Sequence, residues 1–77
     1  MHFNHAKLAG LLRDRSIEQK ELAEAVGVSE AAVSGWCRGI KIPSFEAAVR
    51  IARFLGISTD ELATDYTEDD LGDVYNT

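Results

Sequence analysis

The chain has 77 residues, of which 45% are hydrophobic, and its formal net charge is −5 at pH 7. This length and apolar fraction are typical of one small folded domain and exclude a chain that is disordered throughout. There is no apolar run of about 18 residues and no basic-then-apolar leader, so we expect neither a membrane span nor secretion. A single cysteine excludes an internal disulfide and suits a cytoplasmic location.

The charge is distributed unevenly along the chain. Residues 1–59 hold all eight basic residues and six acidic ones, whereas residues 60–77 hold seven acidic residues and no basic one. The first part therefore has a charge of +2 and the second a charge of −7. A mildly basic body is compatible with an anionic ligand such as a nucleic acid, which the acidic end would repel.

Apolar residues recur at helical spacing in five segments that are separated by short turns. In chain order, the predicted helices cover about residues 5–14, 18–26, 30–37, 45–55 and 59–63. Asn4, Ser29, Ser44 and Ser58 can cap helix starts, whereas Glu18 is an unusual cap and leaves the start of the second helix open by one residue. The sequence therefore predicts an all-α fold, a compact bundle of five short helices.

The domain is predicted to cover residues 1–65 and to be followed by an acidic C-terminal tail, residues 66–77. Within the tail, Leu71, Val74 and Tyr75 have helical spacing, but Gly72 and the dense acids disfavour a helix. The sequence decides neither for nor against an ordered tail.

The second and third predicted helices meet at Gly27 with almost no linker. Gly27 can adopt a positive φ without a steric clash and so ends the second helix. Val28 returns a side chain to the core, Ser29 caps the third helix, and the small Ala23 lets the two helices cross closely. Two helices joined at a steep angle, with the second one protruding, fit the major groove of DNA.

Further blocks of sequence, together with this turn, match a known family. The matching residues are Gln19, Leu22-Ala23, Gly27-Val28-Ser29, Val33, Trp36, Arg38-Gly39, Pro43-Ser44, Ile51-Ala52, Leu55-Gly56-Ile57 and Asp60-Glu61-Leu62. On these residues the chain resembles the lambda-repressor-like (Cro/C1, XRE) helix-turn-helix family over about residues 5–63. The resemblance implies that double-stranded DNA is the ligand and that the third helix enters its major groove.

Four residues are candidates for contacts with the DNA backbone. Gln19 stands where family members place a Gln on phosphate, although a capping box with Ser16 is an alternative use of its amide. Ser44 presents the start of the fourth helix in the same way. Arg38 and Lys41 follow the third helix and are the best cationic phosphate contacts. The alternative is that both are ordinary solvated surface cations with no role in DNA binding.

The outward face of the third helix, with its cap, is expected to consist of Ser29, Glu30, Ala31, Ser34 and Gly35. Val33 and Trp36 are expected in the core, so that Trp36 is not a platform for base stacking. None of the outward residues is an Arg, Lys, Gln or Asn able to make a bidentate base contact. Ala31 can meet a thymine methyl group and Ser34 can hydrogen-bond, whereas Glu30 either accepts from cytosine or repels phosphates. The third helix can therefore make few specific base contacts, and specificity depends on dimer spacing and DNA shape.

One departure from the family pattern involves two residues. Many relatives carry an Arg late in the first helix, paired with a Glu just before the Arg-Gly or Asn-Gly step. This chain has Leu12 and Cys37 at the matching positions. Replacing both partners of a buried ion pair leaves no uncompensated charge. We therefore expect the first and third helices to touch there and Cys37 to be a buried, unreactive thiol.

No cofactor and no metal site are predicted, because His2, His5 and Cys37 are too few and too scattered to hold zinc. An enzyme is not expected either, since the chain has no Gly-rich phosphate loop and no plausible nucleophile–base set.

Two functions are compatible with the sequence. The first is a sequence-specific DNA-binding transcriptional regulator, a repressor, that acts as a homodimer. The second is a protein-interaction module, such as an antitoxin, whose acidic tail covers a basic partner. The tail separates the two, because its charge suits a protein partner better than DNA.

Overall fold

The computed structural model describes residues 1–65, and the predicted acidic tail, residues 66–77, lies outside the described residues. The helices are α1 His5–Asp14, α2 Gln19–Val26, α3 Glu30–Cys37 and α4 Phe45–Leu55, followed by a 3₁₀ turn at Thr59–Glu61. Two short strands, β1 His2–Phe3 and β2 Ala63–Thr64, form an antiparallel pair. Among the helices of residues 1–65, none has both the length and the apolar character to cross a membrane.

The bounds of α1 to α4 agree with the predicted ones to within one residue, and the predicted caps explain why. The side chains of Asn4, Ser29 and Ser44 each accept a hydrogen bond from the backbone N–H three residues further on. Such bonds satisfy N–H groups that have no partner inside the helix. Glu18 is the N-cap of α2, and its own N–H donates to Glu21 Oε1 at 3.3 Å. An acidic cap therefore replaces the usual Ser or Thr without shifting the helix.

The fifth predicted helix is present only as the 3₁₀ turn, and the fold is mostly helical rather than all-α. The predicted capping box does form, since the Ser58 N–H donates to Glu61 Oε2 at 3.0 Å. After one turn, however, the chain extends into β2, where Ala63 pairs with Phe3. A helix continuing through Ala63 would remove the extended backbone that this pairing needs.

The core is apolar and draws on all four α-helices and on the residues that follow the 3₁₀ turn. The largest fully buried side chains are Leu8, Leu22, Val33, Ile51 and Leu62. Trp36 is also buried, which confirms the prediction that it belongs to the core. No polar or charged residue among residues 1–65 is buried. The inner side of α3 is thus held by Val33 and Trp36, and its outer side faces solvent.

Gly27 joins α2 to α3 as predicted. It has φ +84° and ψ +36°, the left-handed conformation that a residue without Cβ adopts freely. The N–H groups of Gly27 and Val28 both donate to the carbonyl of Ala23, at 2.8 and 3.0 Å. This pair of hydrogen bonds to one carbonyl ends α2 sharply and sends the chain directly into α3.

Candidate nucleic-acid interface

The solvent side of α3 carries the residues predicted to read DNA, with one difference. Glu30 and Ala31 are exposed, as is the cap Ser29, and Ser34 is half-buried. Gly35 lies one turn after Ala31 but is buried. The cause is Lys41, because a Cβ added at Gly35 would lie 3.4 Å from both Cγ and Cδ of that side chain.

The loop after α3 folds back on the end of the helix. Arg38 is the C-cap of α3, and Gly39 turns the chain with φ +73°. The N–H groups of Ile40 and Lys41 then both donate to the carbonyl of Gly35, at 3.0 and 3.2 Å. Arg38 and Lys41 are exposed. Two cations are therefore held at the C-terminal end of α3 by hydrogen bonds of the backbone.

The start of α1 supports this loop. A Cβ added at Gly39 would lie 2.8 Å from Cε1 of His5, so the imidazole ring packs directly against the glycine. Gly39 turns the chain after α3. The structure shows that it also makes room for His5, a contact across more than thirty residues that no local pattern indicates.

Gln19 is the first residue of α2 and is half-buried. The alternative use of its amide, a capping box with Ser16, does not form. Glu18 and Glu21 make that box instead, and Ser16 lies in a turn with φ +54°. Within residues 1–65 the Gln19 side chain makes no hydrogen bond. Its amide is therefore available to a ligand.

Arg50, which the sequence alone does not single out, connects α4 to the helix-turn-helix. Its Nη1 donates to the carbonyl of Val26 at 3.3 Å, and its Nη2 lies 2.7 Å from Oε1 of Glu46. The i,i+4 spacing of Glu46 and Arg50 is a readable signal, but the bond to the end of α2 is not. A groove of about 160 Å³ opens beside it, between Gly27 and the α4 cap Ser44. Arg50 thus fixes α2 against α4, while Ser44 stays exposed at the groove.

Half of the basic residues are already engaged within the protein. Their contacts are Lys7 with Glu61, Arg13 with Asp14, Arg50 with Glu46, and Arg15 with the carbonyl of Leu55. The other four, Lys20, Arg38, Lys41 and Arg53, make no ion pair and no side-chain hydrogen bond within residues 1–65. Two of these four directly follow α3, and this places unpaired positive charge beside its solvent side.

Leu12 and Cys37 both contact the core. Leu12 is buried, whereas Cys37 is half-buried and packs against the core from its edge, so the expected full burial of the thiol is only partly met. Burial raises the pKa of the Cys37 thiol, which keeps it protonated and weakly nucleophilic near neutral pH. Among residues 1–65 no cluster of His, Cys, Asp and Glu is arranged to hold a metal ion.

Comparison with known proteins places this geometry in a family. Residues 8–62 match the profile of the family described as Helix-turn-helix. The chain is 37% identical over 62 residues to the HTH-type transcriptional activator BcrR of Enterococcus faecalis, covering 80% of this chain and 30% of that protein. It is 28% identical over 60 residues to the cryptic phage CTXphi transcriptional repressor RstR of Vibrio cholerae, covering 78% of this chain and 54% of that protein.

The chain thus spans about half or less of the length of these relatives. No solved structure gives a significant match. The family match covers most of the chain and runs from within α1 to just past the 3₁₀ turn. The chain belongs to the lambda-repressor-like (Cro/C1, XRE) helix-turn-helix family.

Proposed function

We propose that the protein binds double-stranded DNA as a homodimer, with α3 in the major groove, and regulates transcription as a repressor. The observation that carries this proposal is the solvent side of α3, which no other part of residues 1–65 covers and at whose end Arg38 and Lys41 have no ion-pair partner within those residues. The two relatives are an activator and a repressor. We favour repression, because a helix-turn-helix domain bound to an operator already excludes other proteins from that DNA, whereas activation needs a second surface that contacts another protein.

The contacts divide into two groups. Backbone contacts come from the amide of Gln19, from the α4 cap Ser44 and, by their positions after α3, from Arg38 and Lys41, because N–H groups at helix starts and cations bind phosphates. The residues that face the groove are Ser29, Glu30, Ala31 and Ser34, whereas Gly35, which the sequence also places on this face, lies beneath the stem of Lys41. Arg50 contacts no DNA in this arrangement. Its hydrogen bond to the Val26 carbonyl fixes α4 against the end of α2.

Selection of bound duplexes from a random pool tests the function directly. We expect a palindrome whose half-sites are about 10–10.5 bp apart, or a multiple of that spacing. A single asymmetric motif would contradict the dimer, and a pool without enrichment would contradict DNA recognition.

The dimer is expected to use the loop after α3. Ile40 and Ile42 are each 64% exposed, more than any other large apolar side chain in residues 1–65. Replacing both with Ser should weaken dimerisation by about tenfold or more, because an interface loses its central apolar contacts. Sedimentation equilibrium measures this, and Phe54→Ser, on α4, is the matched control. If only the control dissociates the dimer, the interface lies on α4.

Glu30 is expected to limit affinity. It is exposed in the first turn of α3, where its carboxylate faces phosphates once the helix enters the groove. Glu30→Ala should tighten binding to random-sequence duplex by a few fold, whereas Glu24→Ala, which removes the same charge from α2, should change it less. Titrations by fluorescence anisotropy decide between the outcomes. A large loss confined to sites with one C·G pair would show that Glu30 reads a base.

The second candidate function is an antitoxin or another protein-interaction module. The observation that favours it is the charge of −7 in residues 60–77, which fits a basic protein. A partner that the full chain captures, and that a chain ending at Asp65 does not, would support this function. Selection of a DNA site by the same truncated chain would show that the two functions are separate.

A further inference from the structure

The recognition helix has little chemistry of its own with which to read bases. Its outward residues are Glu30, Ala31 and Ser34, and none of them is a cation or an amide. The strongest discrimination in a major groove comes from Arg or Lys on guanine and from Asn or Gln on adenine. A cationic or amide donor for reading bases would therefore have to come from outside α3.

Lys41 is placed to supply that donor. Its backbone N–H is bonded to the Gly35 carbonyl at 3.2 Å, which ties the residue to the helix. Its Cβ, Cγ and Cδ lie 3.5, 3.4 and 3.4 Å from the position that a Cβ would take at Gly35. The stem is thus laid on the surface of α3 instead of extending away from it. Nζ is two bonds beyond Cδ, so the ammonium lies within a few ångströms of the helix surface.

Gly35 is the residue on which the stem lies: a Cβ there would touch the stem at ordinary van der Waals distance, whereas a larger side chain would displace it. It lies one helical turn after Ala31 and next to Ser34, so it borders the outward face of α3. Its burial beneath an exposed lysine shows that the stem takes the space that a larger residue's side chain would fill. Arg38 differs from Lys41, because it caps the end of the helix and is the better phosphate contact.

We propose that Lys41 is a specificity-determining residue, which carries its ammonium on the face of α3 and reads the O6 and N7 acceptors of a guanine in each half-site. The inference rests on the proposed DNA binding and assigns Lys41 a base contact in place of the phosphate contact expected from its sequence position. Recognition is then shared between a loop cation and a helix of small residues.

The test uses the full chain and the duplex that it selects from a random pool, together with the single base-pair variants of that duplex. Lys41→Met keeps the apolar stem and removes the ammonium. Arg38→Met is the matched control, because it also removes one positive charge but from a residue proposed to contact phosphate. We expect Lys41→Met to abolish a preference of about tenfold or more for one G·C pair per half-site. Arg38→Met should weaken all duplexes alike and reduce the salt dependence of log K by about 1.

A second variant tests the geometry with the ammonium retained. Gly35→Leu places side-chain atoms where the Lys41 stem lies and should remove the same base preference, with folding checked by circular dichroism. Equal loss on every duplex in Lys41→Met would overturn this inference alone. Failure of the unmodified chain to enrich any duplex would overturn the proposed function and this inference with it.

Discussion

Leu12→Arg is expected to lower the free energy of unfolding by about 3 kcal/mol or more. Leu12 is 4% exposed and lies in the last turns of α1, against the core. No acidic residue among residues 1–65 is buried, so an arginine there would lack a buried carboxylate partner. Urea unfolding followed by the fluorescence of the buried Trp36 measures the loss.

Adding Cys37→Glu to that variant should recover much of the stability, because it restores the ion pair that many relatives carry between these helices. Cys37 is only half-buried, so a glutamate there retains some contact with water. Cys37→Glu alone should therefore lower the free energy of unfolding by less than Leu12→Arg does. Leu12→Arg with Cys37→Ser is the matched control, which provides a polar group without charge and should recover little. A double Arg–Glu variant less stable than Leu12→Arg would show that the two positions do not face each other.

The helices could be predicted because their signals are local. Asn4, Ser29 and Ser44 each bond to an N–H three residues away, and apolar spacing alone indicates which side of each helix is buried. The prediction of a fifth helix was wrong because a capping box determines only the first turn. The path of the chain after Glu61 depends on β1, about sixty residues earlier, and no local pattern carries that information.

The sequence indicates candidate positions for the site but not how they are arranged in space. The family pattern indicates Gln19, the positions of Arg38 and Lys41 after the third helix indicate those two cations, and the structure adds which of these side chains have no partner within residues 1–65. The contacts of Lys41 with Gly35 and of Arg50 with Val26 depend on the path of a loop and on the packing of α4 against α2. No sequence pattern pairs the two residues of either contact, so only the fold reveals these contacts.

Converting the four acids of the tail to amides is expected to tighten binding to random-sequence duplex by about tenfold or more at low salt. Glu68, Asp69, Asp70 and Asp73 all lie beyond β2, and their replacement by Gln and Asn changes the net charge from −5 to −1. Among the described residues, β2 is linked to the loop after α3 through β1 and His5. Thr64 pairs with His2, which is at most about 11 Å along the chain from His5, and the ring of His5 contacts Gly39.

The gain should shrink as salt is added, because charges are screened over about 30 Å at 0.01 M salt but only about 8 Å at physiological ionic strength. The amide variant keeps Leu71, Val74 and Tyr75, so any contribution of these apolar side chains to stability is unchanged. A chain in which residues 66–77 are permuted retains every charge and is the matched control, and it should bind duplex as the natural chain does. If the amide variant is equally stable and binds no more tightly at low salt, the tail does not restrain DNA binding. Its charge is then better explained by a basic protein partner, the antitoxin-like function.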